Sequence, residues 1–501
     1  MKIAGVILAA GLGKRMNSSL PKVLHELSGT TMLQHVLNTL YKLRPQKIVV
    51  VTGKHFKETK DSIIRTNPPT PPLTPLHPPL PRGELKGGKG LIRTQNSELI
   101  FARQKEAMGT GDALSWALPS LGGFRGTVLV VNGDTPLITR ETLRKFLDLH
   151  EKKGDVVSVL SFISREPGSY GRIIRNGSGG IVSIIEDRDA TPSQKRIREV
   201  NSGVYAIKSA GLRLLKGIEL NKSKGEYYLT DIIAVARGRG VKAGAYCIGS
   251  EDEFIGINTP EELRKARQLM RDRITKEWMN KGVSFMDTSS VFISSDVTIG
   301  KGTVIYPNVY LEGNTKVGRR CTIYPNVRIQ NCVIGDGAVI KDSTLIEDSF
   351  VKEKALVGPF AHIRPGSEIG AGAKIGNFVE VKKSVIGSGT KASHLSYLGD
   401  AKIGKNVNIG AGMITCNYDG YKKHLAVIED NVFVGSDSQL IAPVRIGKGA
   451  YIGAGSTITE DVPSGSLALS RVEQRNIKGW ALKRQLRVKS DKLKVERKRK
   501  S

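Results

Sequence analysis

Between residues 394 and 420, in HLSYLGDAKIGKNVNIGAGMITCNYDG, one histidine, two tyrosines and several asparagines interrupt a run of Ile-Gly pairs that needs none of them. Such a stretch marks a structural array fitted with an active site. A second candidate lies near the start, where Leu8-Ala9-Ala10-Gly11-Leu12-Gly13-Lys14-Arg15-Met16 is followed by Leu20-Pro21-Lys22. A strand that empties into small residues and glycines exposes backbone N–H groups to a phosphate or base, and the basic side chains supply counter-charge. A Rossmann dinucleotide site is the rival, but the spacing is not GxGxxG, and Arg15 and Lys22 read as clamps on a polyphosphate. The apolar run 128–131 ends in Asn132-Gly133-Asp134. An acidic residue there either holds Mg²⁺ against substrate phosphates or caps the next turn, and the residues alone leave both readings open. Gly109-Thr110-Gly111-Asp112-Ala113, opening a helical stretch, is equally readable as a cap.

The elements that must position these groups fall into two halves. Apolar-Gly or apolar-acid pairs recur from Ile299-Gly300 through Val317-Gly318, Ile334-Gly335 and Ile369-Gly370 to Ile452-Gly453, thirteen in all, mostly six, twelve or eighteen residues apart. One aliphatic and one small residue per six is the signature of a parallel β-helix, with the aliphatic side chain inside and the small residue at the corner. In the first half, short β-branched runs at 3–8, 47–51, 127–131 and 156–160 alternate with segments of helical spacing. That alternation predicts a mostly parallel, doubly wound α/β sheet whose ligand lies at the carboxyl ends of the strands. Residues 67–90, NPPTPPLTPLHPPLPRGELKGGKG, cannot form a packed element and are expected to protrude as a disordered loop. Thr259-Pro260-Glu261-Glu262 gives an N-cap, a first-turn proline and a capping-box glutamate, and Leu263, Ala266, Met270, Ile274 and Trp278 follow at helical spacing. The expected order is therefore a nucleotide-handling domain over 1–260, a linker helix over 261–281, a β-helix over 282–470 and a basic tail over 471–501.

A chain of 501 residues has room for two or three domains. Its four cysteines, Cys247, Cys321, Cys332 and Cys416, show no CxxC or metal-ligand spacing, which argues against a zinc site or disulfide framework and for reduced thiols in the cytoplasm. The opening MKIAGVILAAGLG has the apolar run of a short signal peptide, yet it reads better as a first strand entering a glycine loop. No stretch elsewhere reaches membrane-spanning length, so no membrane span is expected. The net charge is +30, and 483–500 carries ten basic residues against Asp491 and Glu496. This tail is expected to be solvated and largely disordered, without specific nucleic-acid binding, because no nucleic-acid motif accompanies it.

Taken in order, LAAGLGKRM with LPKVLHEL, Gln104 with GTGDA, NGD, Tyr170-Gly171-Arg172, IIEDRDA, EVNSGVY, GEYYLTDII and GIN, then GPFAHIRPGSEIG, GNFVEVKK, VGSDSQL, GAGS and ALSR, resemble a known family. It is the bacterial bifunctional N-acetylglucosamine-1-phosphate uridylyltransferase/glucosamine-1-phosphate N-acetyltransferase family, matched over nearly the whole chain apart from the Pro-rich insert and the basic tail. The resemblance implies a Rossmann-like nucleotidyltransferase domain followed by a left-handed β-helix. It implies that Arg15 and Lys22 hold the triphosphate of UTP while N-acetylglucosamine-1-phosphate attacks the α-phosphorus, and that Asp134 and Asn258 carry Mg²⁺. Leu8, Ala9, Ala10, Gly11, Gln104, Gly109, Thr110 and Asn132 match positions around the nucleotide, and Gly171, Glu186 and Asn201 those around the amino sugar. In the second site His394 would take the proton of glucosamine-1-phosphate as its amine attacks acetyl-CoA, since an imidazole's ordinary pKa lies near working pH. Arg364 and Lys382 would grip the sugar phosphate, and Tyr397 and Asn408 the sugar. Ala411, Asn417, Tyr418, Ser436, Ala454 and Arg471 fall where the family contacts substrate or acetyl-CoA. A homotrimer feeding peptidoglycan and lipopolysaccharide synthesis is also implied.

This chain departs from the family pattern in the nucleotide pocket: Lys14 stands for the usual Thr, Asn132 for Tyr and Asp112 for His. Two rivals remain at the level of sequence. One is a sugar-1-phosphate nucleotidyltransferase of other specificity with a purely structural β-helix, against which His394, Lys382 and Asn417-Tyr418 argue. The other is a non-catalytic scaffold or nucleic-acid binder that exploits the charge, against which Arg15, Lys22 and Asp134 argue.

Overall fold

A computed structural model describes residues 1–11, 13–66, 92–94, 97–221 and 225–500. The Pro-rich insert 67–90 and Leu12 of the glycine loop lie outside the described residues. The chain forms two compact units, Met1–Lys281 with Asp287–Val297, and Gly282–Met286 with Thr298–Ser501.

In the first unit the β-branched runs become strands β1 (Ile3–Ala9), β2 (Lys47–Thr52), β3 (Ser97–Arg103) and β4 (Thr127–Asn132), in the order β4-β1-β2-β3 and all parallel. Alternate residues face opposite layers. Ile3, Ile7 and Val50 pack with Leu33, Leu37 and Phe146 on one side, while Ala4, Val6 and Val49 pack with Leu114 and Ile233 on the other. Burial on both faces is why these strands read as nearly unbroken apolar runs. Ala9 stands beside Thr52 and Leu8 beside Asn132, so three strands end at one level and their loops share one rim.

The sheet continues through β5 (Val157–Ile163), β6 (Arg172–Arg175), β7 (Ile181–Ile185), β8 (Glu199–Lys208) and β9 (Ala243–Cys247). β9 is parallel to β5, but β8 joins β4 and β5 antiparallel, and β6 and β7 form an antiparallel pair beside it.

The second unit is a left-handed parallel β-helix. Thr298 sits beside Lys316, Lys316 beside Val333 and Val333 beside Phe350, about 18 residues per turn. Ile299, Val317, Ile334, Val351, Ile369, Ile386 and Ile403 stack inside one face, and buried hydroxyls tie adjacent turns, as from Ser384 Oγ to the Leu398 carbonyl at 3.0 Å. The period breaks twice. Strands β10 (Lys374–Lys382) and β11 (Lys391–Gly399) run nine residues each in continuous parallel register. Lys402 then pairs with Val427, a step about eight residues longer than the others, which makes room for an excursion over 417–425.

Residues Trp480–Lys500 form a helix, exposed through residue 492, where disordered chain was expected. Ala, Leu, Lys, Arg and Gln dominate the segment and neither Gly nor Pro interrupts it, so local propensity suffices to make it helical.

Candidate active sites

The carboxyl ends of β1, β3 and β4 open into a cavity of about 500 Å³ lined by Leu8, Ala9, Ala10, Gly11, Lys22, Gln104, Gly109, Thr110, Asn132 and Asp134. Its electrostatic centre is Lys22, whose side chain is only 9% exposed. Lys22 Nζ pairs with the Asp134 carboxylate and donates to Asn258 Oδ1 at 3.0 Å. The capping box of helix α1 (Pro260–Asn280) brings Asn258 there. Glu262 Oε2 accepts from the backbone N–H of Asn258 at 2.7 Å and of Thr259 at 2.9 Å, and Asn258 Nδ2 donates to the Gly256 carbonyl, which leaves Oδ1 facing Lys22. Two oxygens thus converge on one cation, here an ammonium, and the same carboxylate-plus-amide pair suits a hard divalent ion.

Around this centre, Gln104 is buried and its Nε2 donates to Asp112 Oδ2 at 2.7 Å and to the Gly109 carbonyl at 3.3 Å. Thr110 Oγ1 accepts from the Leu229 N–H at 3.0 Å. Asn132 lies against Gly203, where φ is 79° and a Cβ would overlap the Asn132 amide, so that glycine is sterically required. Gly171, Glu186 and Asn201 form a neighbouring group on β6–β8 outside the cavity lining. The Asn201 N–H donates to the Gly171 carbonyl at 2.8 Å, and Glu186 accepts from Thr230 at 3.1 Å. Burial pushes the Glu186 carboxyl above its ordinary range, an effect the Thr230 hydroxyl opposes. Arg15 is exposed on the short turn Lys14–Met16 and is not part of the lining.

On the β-helix, β10 and β11 place Asn377 directly opposite His394. His394 Nδ1 bonds Asn377 Oδ1 at 2.7 Å. An amide oxygen only accepts, so Nδ1 carries the hydrogen, and in the neutral imidazole the lone pair is then at Nε2, on an exposed ring. The two strands approach so closely that a Cβ on Gly376 would overlap the Ser393 carbonyl. Glu380 has Tyr397 opposite it and accepts from Arg364 Nη1 at 2.7 Å. Lys423, in the excursion, lies beside Lys382, whose ammonium lowers the Lys423 pKa. Two cations held together this way form a ready site for an anion. Asn417 donates to Asp400 at 2.5 Å, the Tyr418 hydroxyl donates to the Gly420 carbonyl at 2.6 Å, and Asn408 lies in register with Lys391 and Phe433.

The remaining residues climb one edge of the helix. The Gly412 N–H donates to the Leu395 carbonyl, Asp437 to Ala411 and Gly455 to Ser436, which stacks His394, Ala411, Ser436 and Ala454 on successive turns. Arg471 Nη1 ends the row with a 2.8 Å bond to the Ala454 carbonyl.

Family models match this chain in three places: a MobA-like NTP transferase domain over residues 5–170, a GMPPB C-terminal domain over 288–367 and bacterial transferase hexapeptide repeats over 425–460. The chain is 48% identical over 479 residues to the bifunctional protein GlmU of Thermodesulfovibrio yellowstonii, covering 96% of this chain and 99% of that one. The GlmU proteins of Geotalea uraniireducens and Caldanaerobacter subterraneus are 43% and 44% identical, each over 96% of this chain and 99% and 98% of theirs. The chain belongs to the GlmU family.

Three residues of this GlmU-family chain escaped the sequence reading as site residues. Asn377 lies inside the quoted GNFVEVKK motif, one turn before His394, and the helix period was the signal that would have found it. Lys423 is hidden in the Tyr418-Asp419-Gly420-Tyr421-Lys422-Lys423-His424 excursion, where no period predicts a neighbour. Asp112 was visible as a departure but not as a partner of Gln104. All four cysteines are free. Among the described residues no group of three or more His, Cys, Asp or Glu could hold a metal, and no helix is long and apolar enough to cross a membrane.

Proposed function

We infer that this chain is a bifunctional enzyme of UDP-N-acetylglucosamine synthesis, which acetylates glucosamine-1-phosphate and then uridylylates the product. The observation that carries this is the end-to-end likeness to bifunctional GlmU proteins, with polar side chains converging in both units. A nucleotidyltransferase with a merely structural β-helix is not favoured, since a scaffold has no use for a histidine whose tautomer is fixed by Asn377.

In the acetyltransferase site Nε2 of His394 takes a proton from the amine of glucosamine-1-phosphate as the nitrogen attacks the thioester carbonyl of acetyl-CoA. The new C–N bond replaces the C–S bond, and the thiol of coenzyme A departs. Arg364 and Lys382, with Lys423, hold the phosphate, while Tyr397 and Asn408 orient the sugar and Asn417 and Tyr418 line its approach. The edge formed by Ala411, Ser436 and Ala454, closed by Arg471, suits a long, narrow acyl carrier lying along the turns.

In the uridylyltransferase site a phosphate oxygen of N-acetylglucosamine-1-phosphate attacks the α-phosphorus of UTP, and the bond to diphosphate breaks. Leu8 to Gly11, Gln104, Gly109, Thr110 and Asn132 enclose the nucleotide, and Lys22 with Arg15 neutralises the triphosphate. Gly171, Glu186 and Asn201 receive the amino sugar. Asp134 and Asn258 would hold Mg²⁺, which supplies charge neutralisation at the phosphate oxygens.

We place the enzyme in the cytoplasm as a homotrimer. Supporting this, Phe360 and Phe378 stack at 5.5 Å on an exposed corner that continues to Leu395, beside His394. Such an apolar ridge suits a partner subunit that would cover an otherwise open site. The test is product analysis with glucosamine-1-phosphate, acetyl-CoA, UTP and Mg²⁺. His394→Ala should abolish acetyl transfer and spare uridylyl transfer, and Asp134→Ala should do the reverse. Loss of both activities in either folded variant would refute the two-site reading.

A further inference from the structure

We propose that Asp112 is a positioning residue that fixes the base specificity of the nucleotide site by locking the orientation of the Gln104 amide. The inference rests on the uridylyltransferase reading above and deepens it.

Gln104 is 3% exposed, and its backbone N–H is held by the Thr52 carbonyl at 2.8 Å. Its side chain meets two groups, the Asp112 carboxylate and the Gly109 carbonyl, both of which only accept hydrogen bonds. The amide nitrogen must therefore face them. A flipped amide would set its oxygen against two other oxygens and leave a buried donor unpaired. Asp112 is itself fixed from behind, since Oδ2 also accepts from Trp116 Nε1 at 3.2 Å. Among the described residues Gln104 Oε1 accepts from no protein donor, so it is the polar atom that the side chain presents to the cavity.

A fixed acceptor selects a base with a donor facing it. In a uridine nucleotide the uracil ring has a single N–H, at N3, so an acceptor reading uracil meets it there. Cytosine has a bare nitrogen at the same position, and two acceptors would then confront one another in a buried pocket. An amide free to rotate would present its nitrogen to cytosine and its oxygen to uracil, and would discriminate poorly. The carboxylate at 112 removes that freedom. A histidine there, with one ring nitrogen of each kind, would impose the constraint less strictly.

The test compares kcat/KM for UTP and CTP with N-acetylglucosamine-1-phosphate and Mg²⁺, using the full-length enzyme, Asp112→Asn and Asp112→Leu, with a thermal melt of each. An asparagine can donate as well as accept, and a leucine does neither, so both remove the shorter, charge-assisted contact and leave only the 3.3 Å bond to the Gly109 carbonyl to hold the amide. The expected result is a fall of about tenfold or more in the UTP-to-CTP ratio, caused mainly by a gain with CTP. A merely structural role would lower both substrates together. A ratio within twofold of the parent in a folded variant would overturn the proposal. A parent enzyme that fails to use UTP would instead sink the uridylyltransferase reading itself.

Discussion

Replacing Asn377 by alanine isolates the contribution of tautomer control to acetyl transfer. The side chain accepts from His394 Nδ1 at 2.7 Å on a partly exposed surface, where a neutral hydrogen bond contributes about 1 kcal/mol. Its loss lets the neutral imidazole place its hydrogen on either nitrogen, so that part of the population has no lone pair at Nε2. One kcal/mol corresponds to about fivefold in rate. We therefore expect Asn377→Ala to lower kcat for acetyl transfer about fivefold, as read by release of the coenzyme A thiol. KM for glucosamine-1-phosphate should stay within about twofold, because the phosphate grip of Arg364 and Lys382 is untouched. Asn377→Asp keeps an acceptor and should recover most of the loss. Uridylyl transfer should not change. An unaltered acetyl kcat in Asn377→Ala, or an equal fall in both activities, would refute the assignment.

Lys423→Ala should raise KM for glucosamine-1-phosphate about tenfold with little change in kcat, because it removes one of two adjacent ammoniums and leaves the base intact; an unchanged KM would remove Lys423 from the phosphate site. Burial raises the Glu186 pKa above the ordinary carboxyl value, so this group's contribution to stability is fully present below about pH 4.5 and is lost as pH rises through the folded pKa. Glu186→Gln, still able to accept from Thr230, should melt above the parent at pH 8 with the gap closing by about pH 4, and a variant that melts lower at pH 8 would contradict this.

The β-helix was legible because its period is geometric: an aliphatic residue every six positions points inward from successive faces, and every third one stacks on the same face one turn later, as Ile299 does under Val317. The parallel strands β1, β2 and β4 were legible for a related reason, since burial on both faces leaves no polar residues in Val49, Val50, Val51 or Val128 to Val131. The carboxyl-end loops of β1 and β4 therefore announced the cavity. The antiparallel placement of β8 was not visible, because the composition of Glu199–Lys208 is the same for either direction and the direction shows only in its pairing with β4 and β5. Nor did composition announce the C-terminal helix, whose charge pointed to solvated chain while its propensity favoured helix. Among the site residues, Lys22, Asp134 and His394 stood out by type. Asn258 was reached through the family resemblance, whereas Asn377, 17 positions before His394, and Lys423, far along the chain from Lys382, were not, because a linear pattern encodes such pairings only where the period does.

The coil that bears His394 touches the coil before it and the coil after it, and little else in its own unit. A tandem duplication or loss of one whole turn outside these coils would leave the site's register intact, whereas an insertion of any other length must be expelled as a loop, as 417–425 has been. Genetic change in this unit is thereby channelled into two forms, a longer or shorter column and a decorated edge. The first tunes the bulk of the molecule without touching catalysis, and the second is how a repeating wall acquires side chains, such as Lys423, that its own rhythm could never supply.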